Sequence, residues 1–396
     1  MMRAWLRLAS LLSVAALGAL LYLSGEWIYV ERLLTQPENA GEWPDSFYDP
    51  KYDVGIGPSE FFPPFDVSSN PISPEALEAA SAWAGDRNTA ALIVIFQGKV
   101  ALERYWEGVD RHSLYSGRGM TKSLIGILYG FAVSDGVISL DEPAATYLPE
   151  WRNDERSKIT VRHLLENTSG LENPPFTDSP FNKQTRLSWA PDIAATALSF
   201  RAEQPPGQIF NVSSANSVLL AVILERATNA PVHQYFEDQL WRPLGAERGS
   251  FYVERPNGRA HIDCCFRATP GDWARLGYML AHDGEYQGLR ILPTGWVYEM
   301  TAPGRHYAAY GLHMWRGQPY REVREVYEGT GIGHYQSEPF VVDDIFFMEG
   351  GSNRVMWVSP SLDLVILRLG RTTDKWDHSF IPNTIIRGLN LRQGNG

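Results

Sequence analysis

The stretch 119–151 reads "GMTKSLIGILYGFAVSDGVISLDEPAATYLPEW". Apolar residues at 124, 125, 127, 128 and 131 recur at helical spacing, so a helix is expected to open near Thr121-Lys122. Asp135-Gly136 closes it, and "LDEPAATYLPEW" follows as a turn and short helix. Lys122 stands in the first turn of that helix. Three residues earlier, on the same helix face, stands Gly119. Serine at 119 would complete an S-x-x-K spacing, but glycine has no side chain to offer.

The segments on either side supply the architecture. "SPEALEAASAWAG" (73–85) has a Ser-Pro start, an acidic first turn and a glycine stop, the signals of a helix. "ALIVIFQGKVALERYWEG" (91–108) places two apolar runs around Gln97-Gly98, a β-hairpin. "ITVRHLLENTSGL" reads as a Thr-capped helix ending at Ser-Gly, and "SSANSVLLAVILERATNAPVHQYFEDQLWRPLG" as two helices split near Asn229-Ala230-Pro231. "TPGDWARLGYMLAHDG" is a further capped helix. "DDIFFMEGG", "NRVMWVSP" and "LDLVILRLG" are strand-like, and "HSFIPNTIIRGLN" is a closing helix. The expected fold is α+β: a mostly antiparallel sheet flanked by terminal helices, with a helical lobe inserted at about 135–250.

Length, composition and charge narrow the possibilities. The chain has 396 residues, 44% apolar, enough for a large two-lobed domain or two domains. Phosphate binding needs a basic face, and a net charge of -11 with no long single-sign run argues against one, so no nucleic-acid partner is expected. The two cysteines, Cys264 and Cys265, are adjacent; a vicinal disulfide is possible but strained, and two buried thiols are the more common arrangement. No Cys/His cluster has zinc-ligand spacing, so no metal and no cofactor is expected. His112, His163, His233 and His313 read as surface or satisfied core residues.

Residues 1–33 carry Arg3 and Arg7, an apolar run over about 8–23, then Glu26, Trp27 and Tyr29. An uncleaved membrane anchor with a cytoplasmic N-terminus fits the length and flanks. A cleaved signal peptide and a buried soluble helix are the other readings. The first two export the rest of the chain, to a periplasmic or extracellular location. Residues 34–74, rich in Pro, Gly and aromatics, read as an extended linker that wraps the globule or holds it off a membrane.

Taken in order, "MTKSLIGILYGFAVSDGVISLDEPAATYLPEW", "ITVRHLLENTSGL", "FNVSSANSVLLAVILERATNAPV", "TPGDWARLGYMLAHDGEYQGLRILPTGWV" and "NRVMWVSPSLDLVILRLG" resemble the serine β-lactamase and penicillin-binding-protein-like superfamily. Within it they are most similar to the class C β-lactamase-related hydrolases, the branch of esterases and 6-aminohexanoate-dimer hydrolases. The resemblance covers about residues 75–390 and implies a small-molecule or peptide substrate with an amide or ester bond, and no cofactor. It also implies three chemical elements: a serine with a lysine one turn later, a tyrosine from the helical lobe, and a strand motif that closes the other side.

Residue by residue, the carry-over is mixed. Lys122 matches the lysine. Gly119 stands at the position of the nucleophilic serine and Val212 at that of the tyrosine, with Ser214 two residues on, where the family often has Asn or Ser. The strand motif maps to Glu349-Gly350-Gly351, with glutamate in place of Lys or His. Arg118, beside Gly119, would bind a substrate carboxylate or simply pair with an acid. Of the hydroxyls that flank the gap, Thr121 and Ser123 adjoin Lys122 in sequence and so do not face it on a helix, while Ser116 lies before the helix, where a loop could bring it in. Ser213 and Ser214 would also suit a helix cap. Three functions follow as expectations: an exported hydrolase with an altered site, a pseudoenzyme that binds a peptide or cell-wall-like ligand, and a lyase or isomerase using Lys122 as base.

Overall fold

The computed structural model describes residues 16, 18, 20–22, 25–35, 45–66, 68–106, 108–177 and 179–389. Its centre is a six-stranded sheet, antiparallel throughout, in the order Lys99–Tyr105, Thr89–Phe96, Leu364–Gly370, Arg354–Ser359, Phe346–Gly350, Trp315–Arg316. The expected hairpin and the three C-terminal strands supply five of these strands.

Both faces of the sheet are covered, which is why its inner strands read as nearly continuous apolar runs. Leu92, Val94 and Phe96 point to one face, where the terminal helices Pro74–Gly85 and Phe380–Arg387 pack through Ala80, Ala84, Ile381 and Ile385. Ala91, Ile93 and Ile95 point to the other, against Pro270–Ala281 and the helix Thr121–Ser134. Ser73 caps the first helix by accepting from the Ala76 amide, and Thr269 caps Pro270–Ala281 by accepting from the Asp272 amide. The helical lobe contains the short helices Val161–Leu165, Lys183–Trp189 and Ile193–Leu198 around the long helix Ser214–Thr228.

Several details correct the sequence reading. The helix after Thr160 stops at Leu165, before Ser169-Gly170, and Asn167, Thr168 and Ser169 continue as buried irregular chain. Asn167 and Ser169 find partners across the lobe, with Asn167 Oδ1 accepting from the Ser213 amide and Ser169 Oγ donating to Asn216 Oδ1 at 2.8 Å, whereas the buried Thr168 hydroxyl has none. Ser213 stands at the N-cap of Ser214–Thr228 but accepts no capping hydrogen bond. Cys264 and Cys265 are joined in a disulfide rather than held as two thiols, with Cys265 in the left-handed region at φ 74°.

Of the segment 34–74, read as a linker that wraps the globule or holds it off a membrane, part pairs directly with the globule. Its strand Lys51–Val54 pairs antiparallel with Gly249–Tyr252, and this pair extends through Arg267–Ala268 to Tyr115–Ser116. Before it, the helix Glu26–Thr35 docks Tyr29 and Arg32 into the globule; Arg32 donates to the carbonyls of Trp189, Val253 and Glu254. Among the described residues no helix is long and apolar enough to cross a membrane. Most of the apolar run over 8–23, on which the anchor and signal readings rest, lies outside the described residues.

Candidate active site

The position of Gly119 follows from how the chain enters the motif helix. A short 3₁₀ turn, Arg118–Met120, feeds Thr121–Ser134 directly, and Arg118 takes the left-handed region at φ 46°. Gly119 itself lies outside that region, so its backbone does not require glycine. Space is tighter: a Cβ there would meet Glu349 O and Gly350 Cα, each at 3.1 Å. The neighbouring strand end is even closer at Gly350, where a Cβ would fall 2.3 Å from Gly117 O. The two backbones interlock, and only glycine at 350 allows it.

Lys122 projects from the first helical turn into a junction of three elements. Its Nζ donates to Ser214 Oγ at 2.9 Å and to the backbone carbonyl of Asp263. Burial pulls the amine below the ordinary lysine pKa, against an opposing pull from the Asp263 carboxylate. Asp263 is also buried; burial pushes its carboxyl up, but the hydrogen bond and charge of His261, with Lys122, more than offset this and leave it lowered. Lys122 is therefore not paired with Glu349; the carboxylate whose charge acts on it is that of Asp263.

Ser214 opens the helix Ser214–Thr228, so its hydroxyl sits at the positive end of a long helix dipole. The other candidate hydroxyls are occupied elsewhere. Ser116 is fully buried and accepts from the Arg118 amide, and Thr121 accepts from the Phe266 amide at 3.2 Å. Ser123 is part of the cavity wall, but the Lys122 amine donates to Ser214 and the Asp263 carbonyl instead.

A cavity of about 350 Å³ opens here. Its wall includes Arg118, Gly119, Lys122, Val212, Glu349, Gly350 and Gly351, so seven of the eight residues carried over from the motif positions and their neighbour Arg118 converge on one space, while Ser116, Thr121 and Ser213 do not line it. Ser214, the eighth, reaches it through Lys122. Val212 adds an apolar surface where a tyrosine hydroxyl was expected.

Glu349 does not face solvent. Its side chain is 2% exposed, and His334 Nδ1 and His378 Nε2 each lie 2.9 Å from its Oε1. Burial pushes the Glu349 carboxyl up, but the two imidazoles outweigh it and hold the group well below the usual carboxylate range. Burial likewise pulls His378 below the ordinary histidine value.

Among the participants that escaped the sequence reading are the Asp263 carbonyl, His334, His378, Tyr310 and Trp315. A backbone carbonyl has no residue-type signal. Tyr310, whose hydroxyl accepts from Asn167 Nδ2 at 3.1 Å, is one of many tyrosines until the fold places it in the cavity wall. The four histidines weighed from sequence stay outside the cavity wall. His313, for example, is a satisfied core residue bridging Ser217 Oγ and the Leu165 carbonyl, with its pKa lowered to about 4 by burial.

Comparisons with known proteins bear on the family and the fold. A family model described as Beta-lactamase matches residues 75–379. A curated relative, 6-aminohexanoate-dimer hydrolase from Paenarthrobacter ureafaciens, is 26% identical over 300 residues, covering 72% of this chain and 73% of that protein. Two solved structures share the fold. A penicillin-binding protein homolog from Caulobacter crescentus superposes with a TM-score of 0.61 at 15% identity, over 80% of this chain and 99% of that one. A D-stereospecific amidohydrolase from Streptomyces sp. gives a TM-score of 0.58 at 18% identity, over 82% and 99%.

Proposed function

We propose, from the premise that this chain belongs to the Beta-lactamase family, that it hydrolyses amide or ester bonds with Ser214 in place of the hydroxyl missing at position 119. The observation that carries this reading is the 2.9 Å contact between Lys122 Nζ and Ser214 Oγ. A lysine whose pKa is lowered by burial can present a neutral amine, and a neutral amine can accept a hydroxyl proton. The Asp263 carbonyl takes one N–H and so aims the lone pair at Ser214.

The sequence of steps is then conventional. Ser214 Oγ attacks the substrate carbonyl as its proton passes to Lys122. Lys122 returns that proton to the departing alcohol or amine, leaving an acyl group on Ser214. Water, giving a proton to Lys122, attacks the ester and releases the acid, and Lys122 returns the proton to Ser214. The apolar surface at Val212 and the aromatic wall of Tyr310 and Trp315 favour an acyl group with apolar bulk.

The test is covalent labelling of the intact chain with a fluorophosphonate, followed by peptide mapping. Label on the peptide bearing Ser214, lost in Ser214→Ala, supports the reading. Label retained in Ser214→Ala, or none on the unaltered chain, overturns it. One observation favours a second reading, binding without turnover: the strand end at Glu349-Gly350 lies close enough to Gly119 to crowd a side chain there. Under that reading, labelling fails while a peptide or cell-wall fragment raises the melting temperature. Proton transfer by Lys122 without an acyl intermediate, as in a lyase or isomerase, requires turnover that survives Ser214→Ala and is lost in Lys122→Ala.

A further inference from the structure

The two histidines around Glu349 play no part in the chemistry above. We propose that His334, Glu349 and His378 form a binding site for one divalent transition-metal ion, zinc by preference, on the wall of the same cavity.

The three residues come from separate elements. His334 lies in the strand Gly333–Tyr335, Glu349 in the sheet strand Phe346–Gly350, and His378 just before the closing helix Phe380–Arg387. Each presents one donor atom, and the three atoms lie within 4.8 Å of one another. Both imidazole nitrogens approach the same Glu349 oxygen at 2.9 Å. Yet neither Glu349 oxygen nor either ring nitrogen of His378 makes a directional hydrogen bond, although the side chains are only 2% and 3% exposed. Buried polar atoms are normally satisfied. Here they converge on a common point, attracted by charge at 2.9 Å but without directional hydrogen bonds, which is the arrangement of a ligand set.

The donor chemistry selects the ion. Two imidazoles and one carboxylate suit zinc and other late first-row metals better than magnesium or calcium, which prefer oxygen. Three protein ligands leave a coordination position open. His334 is the most exposed of the three, at 24%, and both it and Glu349 line the cavity, so the open position belongs to the cavity side. The opposite side is dry and aromatic: the His378 ring packs against Phe347, Trp357 and Trp376, and its amide donates to the Tyr335 carbonyl. Such a shell fixes ligand orientation.

One group opposes the ion. Arg324 is buried close enough for its charge to act on both Glu349 and His378. Its guanidinium is engaged by Gln336 Oε1 and the carbonyls of Arg316 and Gly317, so it occupies no ligand position and weakens the site without filling it. A second cluster, His261, Asp263 and Cys264, is weaker on chemical grounds because the Cys264 sulfur is bonded to Cys265 and offers no thiolate.

The experiment uses the full chain, stripped with a chelator, desalted and titrated with zinc chloride alone, then with cobalt chloride. Metal content and calorimetry are expected to give about one ion per chain, and cobalt a visible d–d spectrum without thiolate charge-transfer bands. His334→Ala, at the most exposed ligand and least demanding of the fold, is expected to lose affinity by at least about tenfold while circular dichroism is unchanged. Glu349→Gln and His378→Ala, where folded, are expected to lose more. The proposal is overturned if the folded, stripped chain takes up no zinc. It is equally overturned if His334→Ala binds as tightly as the unaltered chain, or if cobalt shows thiolate bands. None of these readouts depends on hydrolysis.

Discussion

Ser214 Oγ accepts a hydrogen bond from Lys122 Nζ at 2.9 Å, across 92 residues of sequence and between the first turns of two helices. The amine is the same group that would receive the hydroxyl proton in catalysis. Its protonation state therefore decides whether the pair is a structural bond or a working dyad.

That dependence sets the pH profile. The folded Lys122 pKa is lowered, chiefly by burial. Ester hydrolysis should rise with pH as the amine loses its proton, reaching its plateau below the pH at which an ordinary lysine would titrate. Stability follows the same sign. The folded state holds this proton less tightly than the unfolded state, so the penalty is full at low pH. It is relieved as pH rises from the lowered value toward the ordinary one. A rate profile together with urea midpoints over the same range would check both.

Removal of either partner should stop turnover without unfolding the chain. Ser214→Ala and Lys122→Met are each expected to lower kcat by about a thousandfold or more, as loss of a paired nucleophile or base does elsewhere. Lys122→Met also removes a buried charge, so its melting temperature should fall little. Rates and thermal scans on the same preparations test this.

Restoration of the missing hydroxyl is predicted to be tolerated but not free. Gly119→Ser fits the backbone conformation, yet its Cβ meets Glu349 O and Gly350 Cα at 3.1 Å. The overpacking should cost about 1 kcal/mol. Equilibrium denaturation measures the cost, and peptide mapping after fluorophosphonate treatment shows whether residue 119 then competes with Ser214.

The two glycines after Glu349 should respond oppositely to alanine. At Gly350 the added Cβ would lie 2.3 Å from Gly117 O and 2.8 Å from Gly119 N, both backbone atoms. Gly350→Ala should therefore destabilise by about 3 kcal/mol, the upper end for overpacking, and displace the turn at 117–120. At Gly351 the nearest atom is Arg118 Cδ at 3.9 Å, and Gly351→Ala should be nearly silent. Denaturant midpoints of the pair provide an internal control.

Acid should expose the role of Glu349. Its folded pKa is depressed by His334 and His378, so it contributes stability above the ordinary carboxylate pKa that is lost as pH falls toward the depressed value. In Glu349→Gln that acid-dependent loss should shrink, while stability at neutral pH drops by about 3–5 kcal/mol, as for a broken buried pair. Urea unfolding at neutral and acid pH tests both parts.

The parts of this molecule that were legible in its sequence are those set by local chemistry. Ser73 and Thr269 announce their helices because a hydroxyl at an N-cap does the same job everywhere. The sheet strands read clearly because burial on both faces leaves unbroken apolar runs. Lys122, Gly119 and Ser214 were placed by their relation to a known motif order. The rest depends on contacts with no local signature. The Asp263 carbonyl is backbone, and His334, Glu349 and His378 meet only because a hairpin, a sheet strand and a terminal segment fold onto one point. The stretch 34–74 read as a linker because its Pro and Gly are local facts, whereas its strand exists only through pairing with Gly249–Tyr252.

That last pairing has a practical meaning for anyone cutting the chain. The family match starts at residue 75, but the chain that packs on the globule starts earlier. Trimming to the matched boundary would bare the edge of Gly249–Tyr252, normally covered by Lys51–Val54, and empty the socket filled by Tyr29 and Arg32. An uncovered strand edge recruits other chains. A recombinant fragment chosen by homology alone would thus expose that edge, whereas one begun near residue 25 would keep the edge covered and the socket filled.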